Sequence, residues 1–357
     1  MIYRNLELYN VWELLEGDGL AILPPEADRV LAPDDWVLRP ENAEGLWLCR
    51  IPDVVRRKLN GMAQVNAIQG AGAEARFILP EAGSVTLRLK IATSSVVEVY
   101  QGCFQTGWQI IGPEGTDVTV TLPANIAELE RVTAERGLPF DARLTRVMLP
   151  WRPAVRFLDV RGECTPPRLG QTPSLRYVAY GSSITHGNFG GRPTGGYAMR
   201  AAQLLGADLV NLGFGGGAHL EPDIAEHIAA RDDWDVASLE MGINISGIGL
   251  EEFTRRVDRF VDIVAAAAAR RKGLLCIDVF TCRDDLGERK WAPGYRRAVR
   301  RKVASLASPR VVHAAGDRLL TSPAGLTADL VHPSPVGMEE IARNLVRRLA
   351  RLLGSRN

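Results

Sequence analysis

From Ala75 to Val160 apolar and polar residues alternate with a period of two. The segments Ala75-Arg-Phe-Ile-Leu79, Val85-Thr-Leu-Arg-Leu89, Val96-Val-Glu-Val-Tyr100, Val118-Thr-Val-Thr-Leu122 and Val155-Arg-Phe-Leu-Asp-Val160 are parted by proline, glycine and aspartate. Alternation of this kind buries one face of a strand and wets the other. Repeated at short intervals, it predicts an antiparallel, jelly-roll-like β-sandwich over residues 1–165. A helix over Ala124–Arg136 is the one interruption. The stretch Glu163–Pro173 then breaks all periodicity with three prolines, which predicts a linker at 166–173.

Beyond the linker the period changes. Buried strands are predicted at Leu175–Tyr180, Ala207–Leu212, Asp235–Leu239, Leu274–Phe280 and Arg310–Ala314. Between and after them, helices are predicted at Tyr197–Leu205, Glu221–Ala230, Leu250–Arg271, Tyr295–Leu306 and Pro335–Leu353. Strand and crossover helix in alternation make an α/β domain at 174–357, a five-stranded parallel doubly wound sheet. In such sheets chemistry collects in loops beyond the carboxyl ends of the strands.

At 357 residues, two domains fit better than one core. Basic and acidic residues number 43 and 42, so no polyanion is called for and no nucleic acid partner is expected. The five cysteines are scattered, with no CxxC pair, which argues against a disulfide framework and a zinc cluster. The first ten residues make a poor secretory signal. No apolar run approaches the ~20 residues that cross a bilayer, the alanine-rich run at 264–269 being closed by Arg270-Arg271. The expectation is a soluble cytoplasmic protein with no membrane partner; oligomeric state is not legible.

The chemistry-bearing residues fall at the predicted strand ends. Gly181-Ser182-Ser183-Ile184-Thr185 follows the first strand, where a serine hydroxyl can stand clear of the sheet and attack a carbonyl. Far downstream, Asp329-Leu-Val-His332 sets an acid three positions before an imidazole. Nucleophile, orienter and base thus occur in the order Ser…Asp…His. Asn211-Leu-Gly213-Phe-Gly215-Gly216-Gly217 follows the second strand and Met241-Gly-Ile-Asn244 the third.

These four blocks resemble the SGNH, or GDSL-like, serine hydrolase superfamily. Gly181–Gly187 (GSSITHG), Gly217–Pro222 and Leu239–Asn244 are similar to its two-domain branch, which carries an N-terminal β-sandwich like a carbohydrate-binding module. The resemblance implies a flavodoxin-like catalytic domain. It makes Ser183 the nucleophile, His332 the base and Asp329 its orienter. The oxyanion hole would comprise the Ser183 and Gly216 N–H groups and the Asn244 amide. An ester carbonyl becomes an oxyanion on attack, so donors must be aimed where that charge appears. Two positions depart from the common pattern: Ser182 precedes the nucleophile and Ile245 follows Asn244, where aspartate is usual at both. They bear on substrate class rather than on reaction type.

Simpler readings stand beside these. Gly213-x-Gly215-x-x-Ala218 imitates a dinucleotide fingerprint, but it follows the second strand of the sheet rather than the first, and no clear ribose-binding carboxylate comes ~20 residues later at a strand end. His313 reads as a satisfied core residue and His227, mid-helix, as a surface one. His186 lines the substrate pocket or supports the fold. His219 and Glu221 contact substrate or organise their loop. The tryptophans at 12, 36, 47, 108, 151, 234 and 291 form a sugar-stacking platform or pack in the core and domain interface.

The expected reaction is hydrolysis of a small acyl ester, an acetylated sugar or similar polar alcohol, through an acyl-enzyme on Ser183. No metal or redox cofactor is implied. The rival readings are acyl transfer to a small-molecule hydroxyl with the same residues, and a non-catalytic carbohydrate-binding protein.

Overall fold

A computed structural model of the chain describes residues 1–16, 44–268, 273–287 and 290–354. Trp36 and the predicted helix residues 269–271 lie outside that range. The chain divides into two compact units. One comprises Met1–Arg57, Gln64–Ser174 and Arg192–Thr194; the other comprises Lys58–Ala63, Leu175–Gly191 and Gly195–Asn357.

The first unit is built on β1 (Ile2–Tyr3), β2 (Leu6–Tyr9), β3 (Glu13–Glu16), β4 (Leu46–Cys49), β5 (Glu74–Ile78) and β6 (Ser84–Ile91). It continues with β7 (Ser95–Gln101), β8 (Phe104–Ile111), β9 (Thr116–Thr121), β10 (Leu144–Met148) and β11 (Val155–Gly162). They form a six-stranded sheet, β1-β2-β5-β10-β7-β8, and a five-stranded sheet, β3-β4-β11-β6-β9. The pairings are antiparallel, as in β7 with β8 and β6 with β9. The inward positions of the two-residue period supply the core. Leu8, Phe77, Val97 and Val147 come from one sheet, and Leu48, Leu87, Val118 and Phe157 from the other. The predicted helix is present at Ile126–Arg136, ended by Gly137 in the left-handed conformation.

All five residues of β10 are buried, including Arg146, which pairs with Glu74 at 2.7 Å and stacks on the Phe140 ring at 3.6 Å. Arg76 reaches the same carboxylate at 2.8 Å. Burial pushes the Glu74 carboxyl up, but the two guanidiniums outweigh it and hold it at about 2. Of the tryptophans, Trp47 and Trp234 are buried while Trp12 and Trp108 are exposed.

The second unit contains β12 (Arg176–Gly181), β13 (Asp208–Gly213), β14 (Val236–Glu240), β15 (Gly273–Ile277) and β16 (Val311–Ala314). These strands are parallel, in the order β13-β12-β14-β15-β16. Their burial is continuous in β13, β14 and β15, as a parallel sheet covered on both faces requires. Helices 183–186, 197–205, 222–230, 250–268, 283–286, 292–305 and 335–354 surround it. Numbered by appearance, the strands run 2-1-3-4-5, so the chain reverses direction across the sheet between β12 and β14. In sheets of this order the loops that leave the strands on either side of such a reversal are where ligand sites form. No helix among the described residues is long and apolar enough to cross a membrane.

Candidate active site

β12 ends on Gly181, and its register partner on β13 is Gly213. A Cβ at Gly181 would lie 2.2 Å from Thr185 Oγ1 and 2.5 Å from Glu240 Oε2, so only glycine lets the next turn fold over the strand end. Ser182 then caps a single helical turn, its hydroxyl accepting from Ile184 N at 3.2 Å. Ser183 opens that turn, 7% exposed.

His332 approaches Ser183 from the far end of the chain. Its Nε2 lies 2.8 Å from Ser183 Oγ, and its Nδ1 lies 2.6 Å from Asp329 Oδ2. A carboxylate only accepts, so Nδ1 carries the ring proton and Nε2 presents its lone pair to the serine hydroxyl. The local chain holds Asp329 in place. Its Oδ1 accepts from Val331 N at 2.8 Å, His332 N at 2.9 Å and Thr327 Oγ1 at 2.8 Å. Leu330, at φ 57°, makes the bend that folds the acid back on its own backbone. Partial burial raises the Asp329 carboxyl, yet these donors together hold it well below the usual carboxylate range.

The second block forms a tight loop after β13. Gly216 has φ +68° there, a conformation glycine adopts without strain. Ala218 N donates to Asn244 Oδ1 at 3.2 Å. A backbone N–H can only donate, so the atom facing it is the carbonyl oxygen, and the Asn244 NH2 group is turned the other way. That bond ties the second block to the third. Asn244 itself sits in the turn Ile243–Ile245, entered through Gly242 at φ 125°.

The three remaining candidates have roles in the scaffold. His186 is buried, with Nδ1 2.8 Å from Gly213 O. His219 Nε2 donates to Gly216 O at 3.0 Å, bracing the loop from within. Glu221 accepts from Asn60 N at 3.3 Å. His227 is a correction: the structure buries it at 7% exposure in the helix Pro222–Ala230. Burial and the neighbouring Arg231 charge push its pKa down to about 4. His313 is partly buried rather than fully in the core, with Nε2 bonded to Asp278 Oδ2 at 2.7 Å.

Three residues escaped the sequence reading. Asn60 belongs to the segment 58–63, which packs with this unit although it precedes the sheet by more than a hundred residues. Its Nδ2 donates to Gly217 O at 2.9 Å, and nothing in the local sequence marks it. Glu240 ends β14 and is 1% exposed. Its Oε2 accepts from Ser182 N at 2.6 Å and Thr185 Oγ1 at 3.2 Å, anchoring the turn that carries Ser183. Burial raises its carboxyl despite these bonds. A glutamate closing a fully buried strand, directly before the third block, is the signal in the sequence. Phe189 lies with its ring centroid 4.8 Å from that of His332.

Comparison with known proteins agrees with this picture. Residues 179–340 match the GDSL-like Lipase/Acylhydrolase family. The second unit carries a GDSL-like lipase/acylhydrolase domain. All four blocks fall within the matched stretch. No curated protein matches the chain. Among solved structures, the salicylyl-acyltransferase SsfX3 from a tetracycline biosynthetic pathway is similar over 98% of this chain and 95% of its own, with TM-score 0.74 and 18% identity. A candidate GDSL-like lipase from Bacteroides ovatus covers 96% and 98%, with TM-score 0.66 and 16% identity. A family two carbohydrate esterase from Clostridium thermocellum, in complex with cellohexaose, covers 79% and 92%, with TM-score 0.56 and 14% identity. At these identities the likeness establishes the fold: a GDSL-like domain preceded by a β-rich unit.

Proposed function

We propose that the GDSL-like domain is a serine esterase acting on small acyl esters of a polar alcohol. The observation that carries this reading is one geometry: Ser183 Oγ 2.8 Å from His332 Nε2, with Asp329 bonded to Nδ1. As Oγ bonds to the ester carbonyl carbon, its proton passes to Nε2 and the carbonyl electrons move onto oxygen. The Ser183 and Gly216 N–H groups and the Asn244 NH2 receive that oxyanion, each donor worth roughly 10²–10³ in rate. Collapse expels the alcohol oxygen, which takes the proton from Nε2 and leaves the acyl group on Ser183. Water repeats the sequence in reverse and releases the acid. Asp329 stays ionised and steadies the imidazolium in both halves.

The second reading is transfer of the same acyl group to a small-molecule hydroxyl. It is favoured by the similarity to an acyltransferase over nearly the whole chain. Both reactions use one set of residues and differ in which hydroxyl attacks the acyl-enzyme. Ser183→Ala should lower turnover of a chromogenic acetate ester by about 10⁶-fold. A rate within tenfold of the parent would end the proposal. Measuring the partition of the acyl group between water and added alcohols then separates esterase from transferase.

A further inference from the structure

Between the nucleophile turn and the helix Tyr197–Leu205 runs the glycine-rich loop Gly187-Asn-Phe-Gly-Gly191. Its one large side chain is Phe189, and two features set this residue apart. Its backbone is left-handed, at φ 65°, a region bulky side chains rarely enter and keep only where the surroundings hold them there. It is also 46% exposed while its ring packs against the imidazole of His332, centroids 4.8 Å apart and planes inclined at 40°. Gly190 N donates to Gly187 O at 3.0 Å, and Gly187 and Gly191 both take positive φ, so the glycines absorb the turns that present the ring. An apolar ring is thus held against the histidine at a backbone cost while much of it stays open to solvent.

The reaction fixes which part of a substrate meets it. The leaving oxygen takes its proton from His332 Nε2, so the alcohol must sit on the imidazole's side of the cleft, within hydrogen-bond reach of that nitrogen. The oxyanion donors hold the carbonyl oxygen instead. We infer that Phe189 is the specificity-determining wall of the alcohol subsite, and that it selects alcohols carrying a flat apolar ring face, whether an aromatic ring or the C–H face of a pyranose. The inference rests on the Ser183–His332 reading above. By microscopic reversibility, an alcohol accepting the acyl group occupies the same place as one leaving it. Phe189 therefore governs the choice of acceptor as well as the choice of ester.

The test compares Phe189→Ala, Phe189→Leu and Phe189→Trp with the parent on ethyl acetate, benzyl acetate and a 6-O-acetyl glucopyranoside. Fluorophosphonate titration normalises each preparation to competent enzyme. The expected result is a fall of about 10-fold in the kcat/KM ratio of a ring ester to ethyl acetate for the alanine and leucine variants, with the tryptophan variant restoring it. The ring whose ratio falls further identifies the alcohol class. The partition of the acyl group to benzyl alcohol over ethanol should fall by the same factor. Ratios that stay at the parent's value, or an equal loss on all esters, would overturn the inference and leave Phe189 as a brace for the histidine. Retained activity in Ser183→Ala would instead overturn the reading of the site itself, so the two failures are distinguishable.

Discussion

Among its described residues the GDSL-like domain contains two histidine–aspartate pairs of nearly equal length. His332 and Asp329 meet at 2.6 Å, and His313 and Asp278 at 2.7 Å. Their surroundings differ. In the first pair the acid faces Nδ1, and the other nitrogen points at a serine hydroxyl. In the second the acid faces Nε2, and among the described residues no hydroxyl is bonded to the remaining nitrogen. Asp329 belongs to a loop that folds its carboxylate onto its own backbone, whereas Asp278 stands at the end of β15 and accepts from Gly316 N at 2.6 Å, tying that strand end to the next turn. An acid beside an imidazole is therefore not a mark of catalysis. On the proposed reading, what sets the Ser183-facing pair apart is which ring nitrogen the acid occupies and what the other nitrogen faces.

Substitution should separate the pairs sharply. His332→Ala should cost about 10⁶-fold in turnover, and Asp329→Ala on the order of 10⁴. Asp278→Asn and His313→Gln should change turnover by no more than a few-fold and show their effect as a lower unfolding midpoint. Comparable catalytic losses in both pairs would erase the distinction.

Glu240 tests how far the first site extends below its reacting groups. Glu240→Ala leaves Ser182 N buried without its acceptor and lets the nucleophile turn shift. A loss of about 10²-fold, mostly in kcat, is expected. Glu240→Gln retains an acceptor oxygen and should recover part of it. Equal kcat for parent and alanine variant would place Glu240 outside the account.

The smallest expected effect is on stability, at a histidine belonging to neither pair. His227 falls from 6.5 to about 4 on burial, so between those values the unfolded chain binds a proton that the fold refuses. Stability is complete above the unfolded value and is lost as pH falls towards the folded one, by at most about 3 kcal/mol. His227→Gln should flatten that loss between pH 7 and 4.5, as read from urea midpoints. An identical decline in both proteins would contradict it.

The alternation of strand and helix after residue 174, with three blocks directly after strands and the fourth in the connection that follows β16, is legible in the sequence alone. That is because a parallel sheet buries its strands on both faces and leaves long apolar runs. The sandwich was less legible. β10 carries Arg146 inside, its charge neutralised by Glu74 from a distant strand, and β8, which contains Gly107, shifts register against β7 between Val99 and Tyr100. Neither keeps a clean two-residue alternation. His227 was misread because position in mid-helix says nothing about facing. Ile224 and Ile228, three positions before and one after, share its buried side. Asn60 was beyond reach, since only the folded chain brings residues 58–63 to the second-block loop.

On the proposed reading Ser183, and not its neighbour Ser182, is made nucleophilic by His332. Labelling the folded protein with a fluorophosphonate and mapping the modified peptide tests it most directly. One label per chain is expected, on Ser183, at a rate that collapses in His332→Ala. A label on Ser182, or none in folded protein, would contradict it.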